Sequence, residues 1–469
     1  MRKNRVLVLI DQATRDGFGQ LLIVHYLRSK GVKVYVANQG TFISACERYR
    51  PDVVFASWQS TGVLMEHLER IHSRTQVVLI DQESAKMGRE PFKRSFEASG
   101  RAKAKWGHLA KKICVWGALQ AQWLLELGVV KEEQIVVTGS AKLDPYLLPL
   151  ETPPGSGRHI GFTFRYDPLT ASPMAIMEGL FEFAIAGLHG VGYPSRAQYE
   201  DRIWHVVAAA RQMFKLIDAV SKKFDVRMVV RPGPWEHYGV YKFLSRRIPH
   251  VAIEPWELQH DYIRNAFVVV DESSSFGIEA LVAGIPVISI QRLIPRIEEH
   301  IAGEGGGLYH APYMRYYWKP ATVEEAVEWI EKASCGGLAP VPCADGLDTY
   351  LKDLHHWPRA RPAAFEIGDA ILALLDAPTD VSREFEPPSQ TSDLNWKRWV
   401  YRHIPGSADL AKARMFLSVL LSSGREHLVR YHYFRWLYPY HRAVAETVAA
   451  LLRRYGDAAS QCPHQHYPR

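Results

Sequence analysis

The sequence has 469 residues, of which 47% are hydrophobic and 23% charged, and this balance excludes a disordered or fibrous chain. The length predicts two or three domains, each large enough to bury a core of its own. The five cysteines include no CxxC pair, so neither a zinc finger nor a disulfide framework is expected. Because no apolar run approaches the length of about 20 residues that crosses a bilayer, and because no signal peptide is recognisable, we expect a cytoplasmic protein.

The formal net charge of +7 is concentrated near the C-terminal end. Residues 391–469 contain 12 Lys and Arg against 5 Asp and Glu, which accounts for the whole excess. The preceding part is close to neutral, so nucleic-acid binding is not expected there. Within this tail, residues 430–442 alternate cations with aromatic side chains, a pattern typical of segments on an anionic membrane surface. A helix packed against the body and a surface that stacks RNA bases are the two alternatives.

Over the first 150 residues, short apolar runs alternate with amphipathic stretches. Parallel strands that are buried on both faces, joined by helices, have this pattern. The predicted strands are Arg5–Ile10, Val32–Ala37, Asp52–Ala56, Gln76–Asp81, Ile113–Trp116 and Gln134–Thr138. The sequence therefore predicts a doubly wound Rossmann-like domain over residues 1–150.

A break rich in Pro and Gly at 151–157 predicts a linker, after which the same alternation restarts. The predicted strands here are His159–Phe164, Val226–Arg231, Val251–Glu254, Phe267–Asp271 and Pro286–Ile290. A second Rossmann-like domain is expected over residues 151–380, followed by a basic, aromatic helical extension over 381–469. Two such domains enclose a cleft between the carboxyl ends of their sheets, where α/β proteins bind ligands.

Carboxylates follow two predicted strands of the first domain. Asp16 comes after the first strand, and Asp81 and Glu83 come at the end of the fourth. At that edge of a sheet a carboxylate can act as the general base for an acceptor hydroxyl or as a nucleophile. We expect one of the three to be catalytic; each has the alternative of capping a helix or pairing with a nearby cation. The glycines after Asp16 lack the third glycine of a dinucleotide fingerprint, because Leu22 stands there.

Anion-binding groups follow two predicted strands of the second domain. Arg231 ends a buried strand, and its guanidinium offers a planar fork for phosphate oxygens, with Glu236 in the stiff loop that follows. Hydroxyls and backbone amides of Ser273, Ser274 and Ser275 stand at a predicted helix start, where unpaired N–H groups and the helix dipole favour anions. Glu279, one turn further, can accept hydrogen bonds from ribose hydroxyls. The alternatives are an interdomain salt bridge for Arg231 and a serine-capped core helix.

The stretch 273–288 resembles the donor-binding motif of GT-B glycosyltransferases, in which hydroxyl residues hold the nucleotide phosphates and the following Glu holds the ribose. Other segments, in order, resemble the bacterial surface carbohydrate biosynthesis family and its relatives among capsule and lipopolysaccharide glycosyltransferases and CDP-glycerol glycerophosphotransferases. These segments are 15–16, 81–83, 115–120, 137–144 and 231–236. Two departures stand out: Gly-Ser-Ala-Lys at 139–142 replaces the family's Gly-Asn-Pro-Arg, and Arg-Pro-Gly-Pro at 231–234 replaces Arg-Pro-His-Pro.

The resemblance implies a metal-independent GT-B glycosyltransferase that passes a sugar from a nucleotide-activated donor to a surface polysaccharide or lipopolysaccharide acceptor. It implies no cofactor, since the nucleotide-sugar is a co-substrate. With the membrane contact that the tail region 394–455 predicts, the expected location is the cytoplasm and the inner face of the cytoplasmic membrane. A CDP-glycerol-type glycerophosphotransferase, a UDP-sugar 2-epimerase and a non-catalytic GT-B scaffold are the alternatives. The expected donor-binding residues are Arg231, Glu236, Ser273, Ser274, Ser275 and Glu279, and the further cleft candidates are Arg15, Gly139, Ser140 and Lys142.

Overall fold

The protein contains two parallel β-sheets flanked by helices. The computed structural model describes residues 4–10, 17–38, 41–58, 62–81, 88–98, 106–148, 159–163, 196–232, 241–254, 259–272, 274–298, 311–376 and 446–455. We call the first sheet with its helices the first domain, and the second sheet with its helices the second domain. No helix in these ranges is long and apolar enough to cross a membrane.

The first sheet has six parallel strands in the order β2-β1-β3-β4-β5-β6. They are β1 (Arg5–Leu9), β2 (Lys33–Ala37), β3 (Val53–Ser57), β4 (Gln76–Ile80), β5 (Lys112–Val115) and β6 (Ile135–Val137). Helices cover both faces, so the central strands are almost wholly apolar. The helices are α1 (Gly17–Ser29), α2 (Phe42–Tyr49), α3 (Gly62–Ile71), α4 (Arg89–Ala98) and α5 (Ala118–Glu126).

The second sheet has five parallel strands in the order β11-β10-β7-β8-β9. They are β7 (His159–Thr163), β8 (Arg227–Arg231), β9 (Val251–Ile253), β10 (Ala266–Asp271) and β11 (Val287–Ser289). Its helices are α6 (Arg196–Lys223), α7 (Lys242–Arg247), α8 (Gln259–Arg264), α9 (Phe276–Val282) and α10 (Val323–Ser334). The α/β class and the two Rossmann-like sheets predicted from the sequence are confirmed, and each predicted strand agrees with the observed one within one residue at either end.

After the second sheet the chain returns to the first domain, which the hydrophobic pattern did not predict. Helices α11 (Leu347–His355) and α12 (Ala363–Asp376) follow α10. Phe365 and Ile367 of α12 share a buried apolar cluster with Val6 and Val8 of β1. Tyr26 of α1 stacks on Phe365 with ring centroids 4.4 Å apart. The predicted domain boundaries near residues 150 and 380 lie outside the described residues.

Residues 446–455 also pack against the first domain. They are helical, and Val448 and Leu451 are buried in the same cluster as α12. Arg454 donates a hydrogen bond from Nη1 to the carbonyl oxygen of Leu147, at 2.8 Å. This end of the basic extension thus lies against the body of the protein, whereas the aromatic and basic segment 430–442 lies outside the described residues.

Candidate functional site

Arg231 is a buried cation at the carboxyl end of β8. Parallel pairing places it opposite Thr163, the last residue of β7. Its guanidinium carbon lies 5.7 Å from the ring centroid of Tyr262 and 5.6 Å from that of Phe276. The two aromatic rings restrain the guanidinium. Their attraction for it is stronger because Arg231 is largely removed from water. A positive charge is thereby held at the edge of the sheet, where the sequence predicts phosphate binding.

The neighbouring strand β10 ends in a buried acid, Asp271, which organises the loop that leads into α9. One carboxylate oxygen accepts a hydrogen bond from the Thr163 hydroxyl, and the other accepts one from the backbone N–H of Ser274 at 2.8 Å. Burial raises the pKa of Asp271 to about 7. The hydroxyl of Ser274 in turn accepts the N–H of Phe276 at 3.2 Å, so Ser274 caps the start of α9 and Ser275 makes no such side-chain capping bond.

Glu279, on α9, joins the two domains. Its Oε2 accepts a hydrogen bond from the hydroxyl of Tyr146 at 3.2 Å, and its Oε1 accepts one from Nε2 of Gln259 on α8. Tyr146 belongs to the short helical segment Ala141–Leu147 of the first domain. Loss of water contact and the negative charge of Glu279 raise the pKa of Tyr146 well above its usual value, so its hydroxyl remains a donor at neutral pH. The carboxylate predicted to hold ribose thus faces the other domain.

Two further contacts close the space between the domains. Nη2 of Arg264 on α8 donates to the carbonyl oxygens of Pro145 and Leu148, the second at 3.1 Å. The ring of Phe18 on α1 lies 4.4 Å, centroid to centroid, from that of His260. Burial and the charges of Arg264 and Arg231 lower the pKa of His260 to about 3, so its imidazole is neutral at physiological pH. The carboxyl edges of the two sheets therefore meet face to face.

On the first sheet, Asp81 follows β4 and is fully buried. Its Oδ2 accepts a hydrogen bond from Nε2 of Gln120 at 2.9 Å, and the Oε1 of Gln120 accepts the backbone N–H of Trp116 at 2.7 Å. This chain of bonds connects the ends of β4 and β5 through the first turn of α5. Two motifs that are separate in the sequence are thus joined, through Asp81 of the first and through Trp116 and Gln120 of the second.

The segment 139–144 contacts the returning part of the chain. Gly139 has a φ of +78°, and a Cβ there would lie 2.0 Å from Nη1 of Arg359. Nη2 of Arg359 donates to the carbonyl oxygen of Ser140 and to Oδ1 of Asp144, both at 2.8 Å. The Asp144 carboxylate also accepts the backbone N–H groups of Ala363 and Ala364 at the start of α12, each at 2.8 Å. Gly139 and Ser140 therefore contact a buried structural ion pair.

Lys142, a further cleft candidate in this segment, lies with Nζ 5.2 Å from the ring centroid of Trp116. Gly19 on α1 approaches the same segment so closely that a Cβ would lie 2.9 Å from the backbone carbon of Ala141 and 2.9 Å from the nitrogen of Lys142. The absence of a side chain at Gly19 thus allows α1 to pack against the backbone of this segment.

The structure brings Arg231, Ser274, Ser275 and Glu279 to one edge of the second sheet. Sequence reasoning missed Tyr146, Gln259 and His260, which contact that group or lie beside it. The only signal in the sequence that could have pointed to Tyr146 is its position, two residues after the motif 137–144. Five predicted residues lie outside the described residues: Arg15, Asp16, Glu83, Glu236 and Ser273.

Comparison with known proteins gives similarity at the level of fold. No protein-family model matches the chain, and no curated protein matches it. Among solved structures, a variant of the wall teichoic acid polymerase TagF is 10% identical, with a TM-score of 0.50, and the match covers 80% of this chain and 89% of that one. The UDP complex of MnaA from S. aureus is 11% identical over 71% of this chain and 98% of that one, with a TM-score of 0.42.

The glycosyltransferase of kitacinnamycin is 13% identical, with a TM-score of 0.42, and the match covers 80% of this chain and 100% of that one. Of these, the match to TagF bears on the architecture, and its low identity leaves substrate and activity open. The two parallel sheets, their facing carboxyl edges and the match to TagF together show that the chain has the GT-B fold predicted from its sequence.

Proposed function

We propose that this protein is a GT-B glycosyltransferase, which transfers a sugar from a nucleotide-activated donor to a surface polysaccharide or lipopolysaccharide acceptor. The observation that carries the proposal is the placement of Arg231 and Glu279 at one sheet edge that faces the other domain. A phosphate-binding cation and a ribose-binding carboxylate are the two groups that a nucleoside diphosphate needs most. The fold shared with TagF, a polymerase of wall teichoic acid by name, supports a product in the cell envelope.

In the proposed reaction an acceptor hydroxyl attacks the anomeric carbon of the donor sugar. The new C–O bond forms as the bond between that carbon and the phosphate oxygen breaks, and the nucleotide leaves with the electron pair. Arg231 stabilises the charge that develops on the leaving phosphate, and the hydroxyls of Ser274 and Ser275 assist it. Glu279 fixes the ribose, and no metal or cofactor is part of the proposal. A carboxylate of the first domain accepts the proton of the acceptor hydroxyl.

The candidates for that carboxylate are Asp16, Asp81 and Glu83. Burial of Asp81 and its bond to Gln120 support a positioning role, in which it holds the loop that carries the reactive group. We therefore propose Asp16 or Glu83 as the proton acceptor. A glycine, Gly233, replaces the imidazole of the family's Arg-Pro-His-Pro motif, so the proposed donor site relies on Arg231 for its positive charge. Glu236, Ser273, Arg15 and Lys142 are proposed to complete the cleft.

Thermal unfolding of the purified protein with CMP, CDP, UDP, GDP and their sugar conjugates tests the nucleotide site. At about 100 times the dissociation constant, a ligand that binds only the native state contributes about 2.7 kcal/mol, which raises the melting temperature by several degrees. The Arg231→Ala variant should lose this rise. Arg227→Ala is the matched control, because Arg227 lies at the opposite end of the same strand and pairs with Glu254 at 3.5 Å.

A rise in melting temperature that survives Arg231→Ala, or no rise with any nucleotide or conjugate, would contradict the proposal; absence of any rise favours the non-catalytic scaffold. Product analysis separates the remaining alternatives. Phosphate in the polymer product identifies a CDP-glycerol-type glycerophosphotransferase. Conversion of free UDP-N-acetylglucosamine in the absence of acceptor identifies a UDP-sugar 2-epimerase.

A further inference from the structure

The outer face of the second domain exposes apolar side chains. Among the described residues, five large hydrophobic side chains are exposed, and three of them lie here: Trp204 at 73%, Val207 at 38% and Phe243 at 40%. Trp204 and Val207 belong to α6 and Phe243 to α7. The ring of Phe214 on α6 meets that of Phe243 edge to face, with centroids 5.7 Å apart, so the two helices form one continuous surface.

Cations surround these apolar groups. Arg211 and Lys215 follow Trp204 by 7 and 11 residues, which places all three on one side of α6, and both cations are exposed. On α7, whose sequence is KFLSRR, three exposed cations flank Phe243: Lys242, Arg246 and Arg247. We call this set of residues, from Trp204 to Lys215 on α6 and from Lys242 to Arg247 on α7, the α6–α7 face.

The α6–α7 face as defined contains no acidic residue, and two acidic side chains further along α6 and on α10 are engaged in ion pairs. Asp218 forms an ion pair with Lys222 on the same helix at 2.6 Å, and Glu331 of α10 pairs with Lys223 at 2.7 Å. Helix α7 itself contains no acidic residue. The α6–α7 face therefore combines a net positive charge with a tryptophan that is largely exposed to water.

We infer that the α6–α7 face binds the surface of an anionic lipid bilayer. Tryptophan favours the headgroup region, where its ring is half in an apolar medium, and lysine and arginine are attracted by acidic headgroups. A stable protein interface is less suited to this composition, since its core is depleted of lysine and of charge generally. The inference is separate from the proposed membrane contact of the basic tail, because every residue that carries it lies between 204 and 247.

The face lies beside the cleft. His205, next to Trp204, forms a 3.1 Å contact from Nε2 to Oε1 of Glu272, which directly follows β10. Trp204 therefore stands at the carboxyl edge of the second sheet, the edge that meets the first domain. Docking there would bring the cleft to the bilayer surface, where a lipid-linked acceptor is found; this last step alone rests on the proposed function.

Flotation of the full chain with lipid vesicles tests the inference. We expect binding to vesicles of phosphatidylcholine mixed with phosphatidylglycerol, weak binding to phosphatidylcholine alone, and release as salt is raised, since screening weakens exposed charges. The double variant Trp204→Ser with Phe243→Ser should lower the affinity for anionic vesicles on the order of tenfold. Lys242→Glu with Arg246→Glu should lower it as well.

The matched control is Leu125→Ser with Val137→Ser, which removes two exposed apolar side chains of the first domain, 40% and 36% exposed. It should float as the wild type does. Unchanged melting temperatures and an unchanged nucleotide-induced rise in each variant show that fold and donor site are intact, so this test is independent of the proposed function.

Three results would overturn the inference. The wild type could float with neither kind of vesicle or equally with both. The Trp204 and Phe243 variant could float as well as the wild type, which would assign binding to another surface such as the tail. Sedimentation velocity could show that the wild type self-associates through this face and that the variant does not, which would make a second copy the occupant.

Discussion

The two sheets present polar side chains at their carboxyl edges in different ways. On the first sheet, Asp81 and Asp144 are fully buried and their hydrogen bonds stay within that domain and the helices that return to it. On the second sheet, Arg231 and Glu279 lie at the boundary, and Glu279 accepts a hydrogen bond from Tyr146 of the other domain. All four lie at or after the carboxyl end of a strand, Asp144 and Glu279 within the helical segment that follows it, so this position alone does not separate a structural group from one that is proposed to bind a ligand.

The difference lies in what satisfies each charge. Asp144 has a guanidinium and two backbone N–H groups around it, a set that a ligand cannot replace without unfolding the start of α12. Glu279 accepts hydrogen bonds from a hydroxyl and an amide, both of which a ribose can replace with hydroxyls of its own. A carboxylate that is held by side chains, one of them from the other domain, is thus suited to exchange them for a ligand.

The largest loss of stability is expected when the buried ion pair between Arg359 and Asp144 is broken. Arg359→Ala leaves Asp144 without its counter-ion and should lower the free energy of unfolding by about 3–5 kcal/mol. Urea unfolding followed by tryptophan fluorescence measures this. Arg361→Ala is the control, because Arg361 pairs with the partly exposed Glu366 and Asp369 and should cost about 1 kcal/mol or less. Equal losses in the two variants would mean that the buried pair contributes no more than an exposed one.

The titration of Asp271 tests whether the carboxyl edge of the second sheet also contains an acid that affects the stability of the fold. Its pKa is about 7 in the folded protein against 3.8 as a free side chain, so the folded state holds the proton more tightly. Stability from this group is therefore present at low pH and is lost as pH rises from 3.8 to about 7, by at most about 1.4 kcal/mol per pH unit.

The comparison of wild type with Asp271→Asn isolates this effect. The variant has no titrating group here, so its free energy of unfolding should gain on that of the wild type between pH 5 and pH 7. His260 contributes with the opposite sign, because its depressed pKa costs stability as pH falls below 6.5, and it does so in both proteins. Urea midpoints at the two pH values give the difference; a constant gap would show that Asp271 is ionised throughout.

The strands of both sheets were predictable, because a strand buried on two faces is a continuous apolar run and the polar residue at its end marks the edge. The return of α12 was not, because it depends on Asp144 and Arg359, 215 residues apart. Because Arg359 is so distant along the chain, the sequence did not show that Gly139 and Ser140 contact it, and both were expected in the cleft. Glu279 was proposed for the site from its motif, whereas no sequence pattern relates Tyr146 to the second domain.

Glu279 and Asp81 allow a direct test of the contrast between the edges. Glu279→Gln should raise the dissociation constant of the nucleotide identified by thermal unfolding about tenfold, since hydrogen bonds to a charged group are lost. Asp81→Asn should leave that constant unchanged and lower the free energy of unfolding by about 1–3 kcal/mol, the cost of disturbing a buried acceptor. Titration calorimetry and urea unfolding measure the two quantities. The opposite pattern would exchange the roles of the two carboxylates.

The smallest effect concerns Tyr146, whose hydroxyl bonds to Oε2 of Glu279 at 3.2 Å. A ribose hydroxyl that uses the same oxygen must displace it, so the interdomain bond competes with the donor. Tyr146→Phe removes the competitor and should lower the nucleotide dissociation constant about threefold, the effect of one neutral hydrogen bond. Calorimetry measures this, and Tyr35→Phe is the control, because Tyr35 stacks on Tyr49 within the first domain, ring centroids 3.9 Å apart. Weaker binding by Tyr146→Phe would instead show that the hydroxyl orients Glu279 for the donor, and the contact between the domains would then be part of the ligand site.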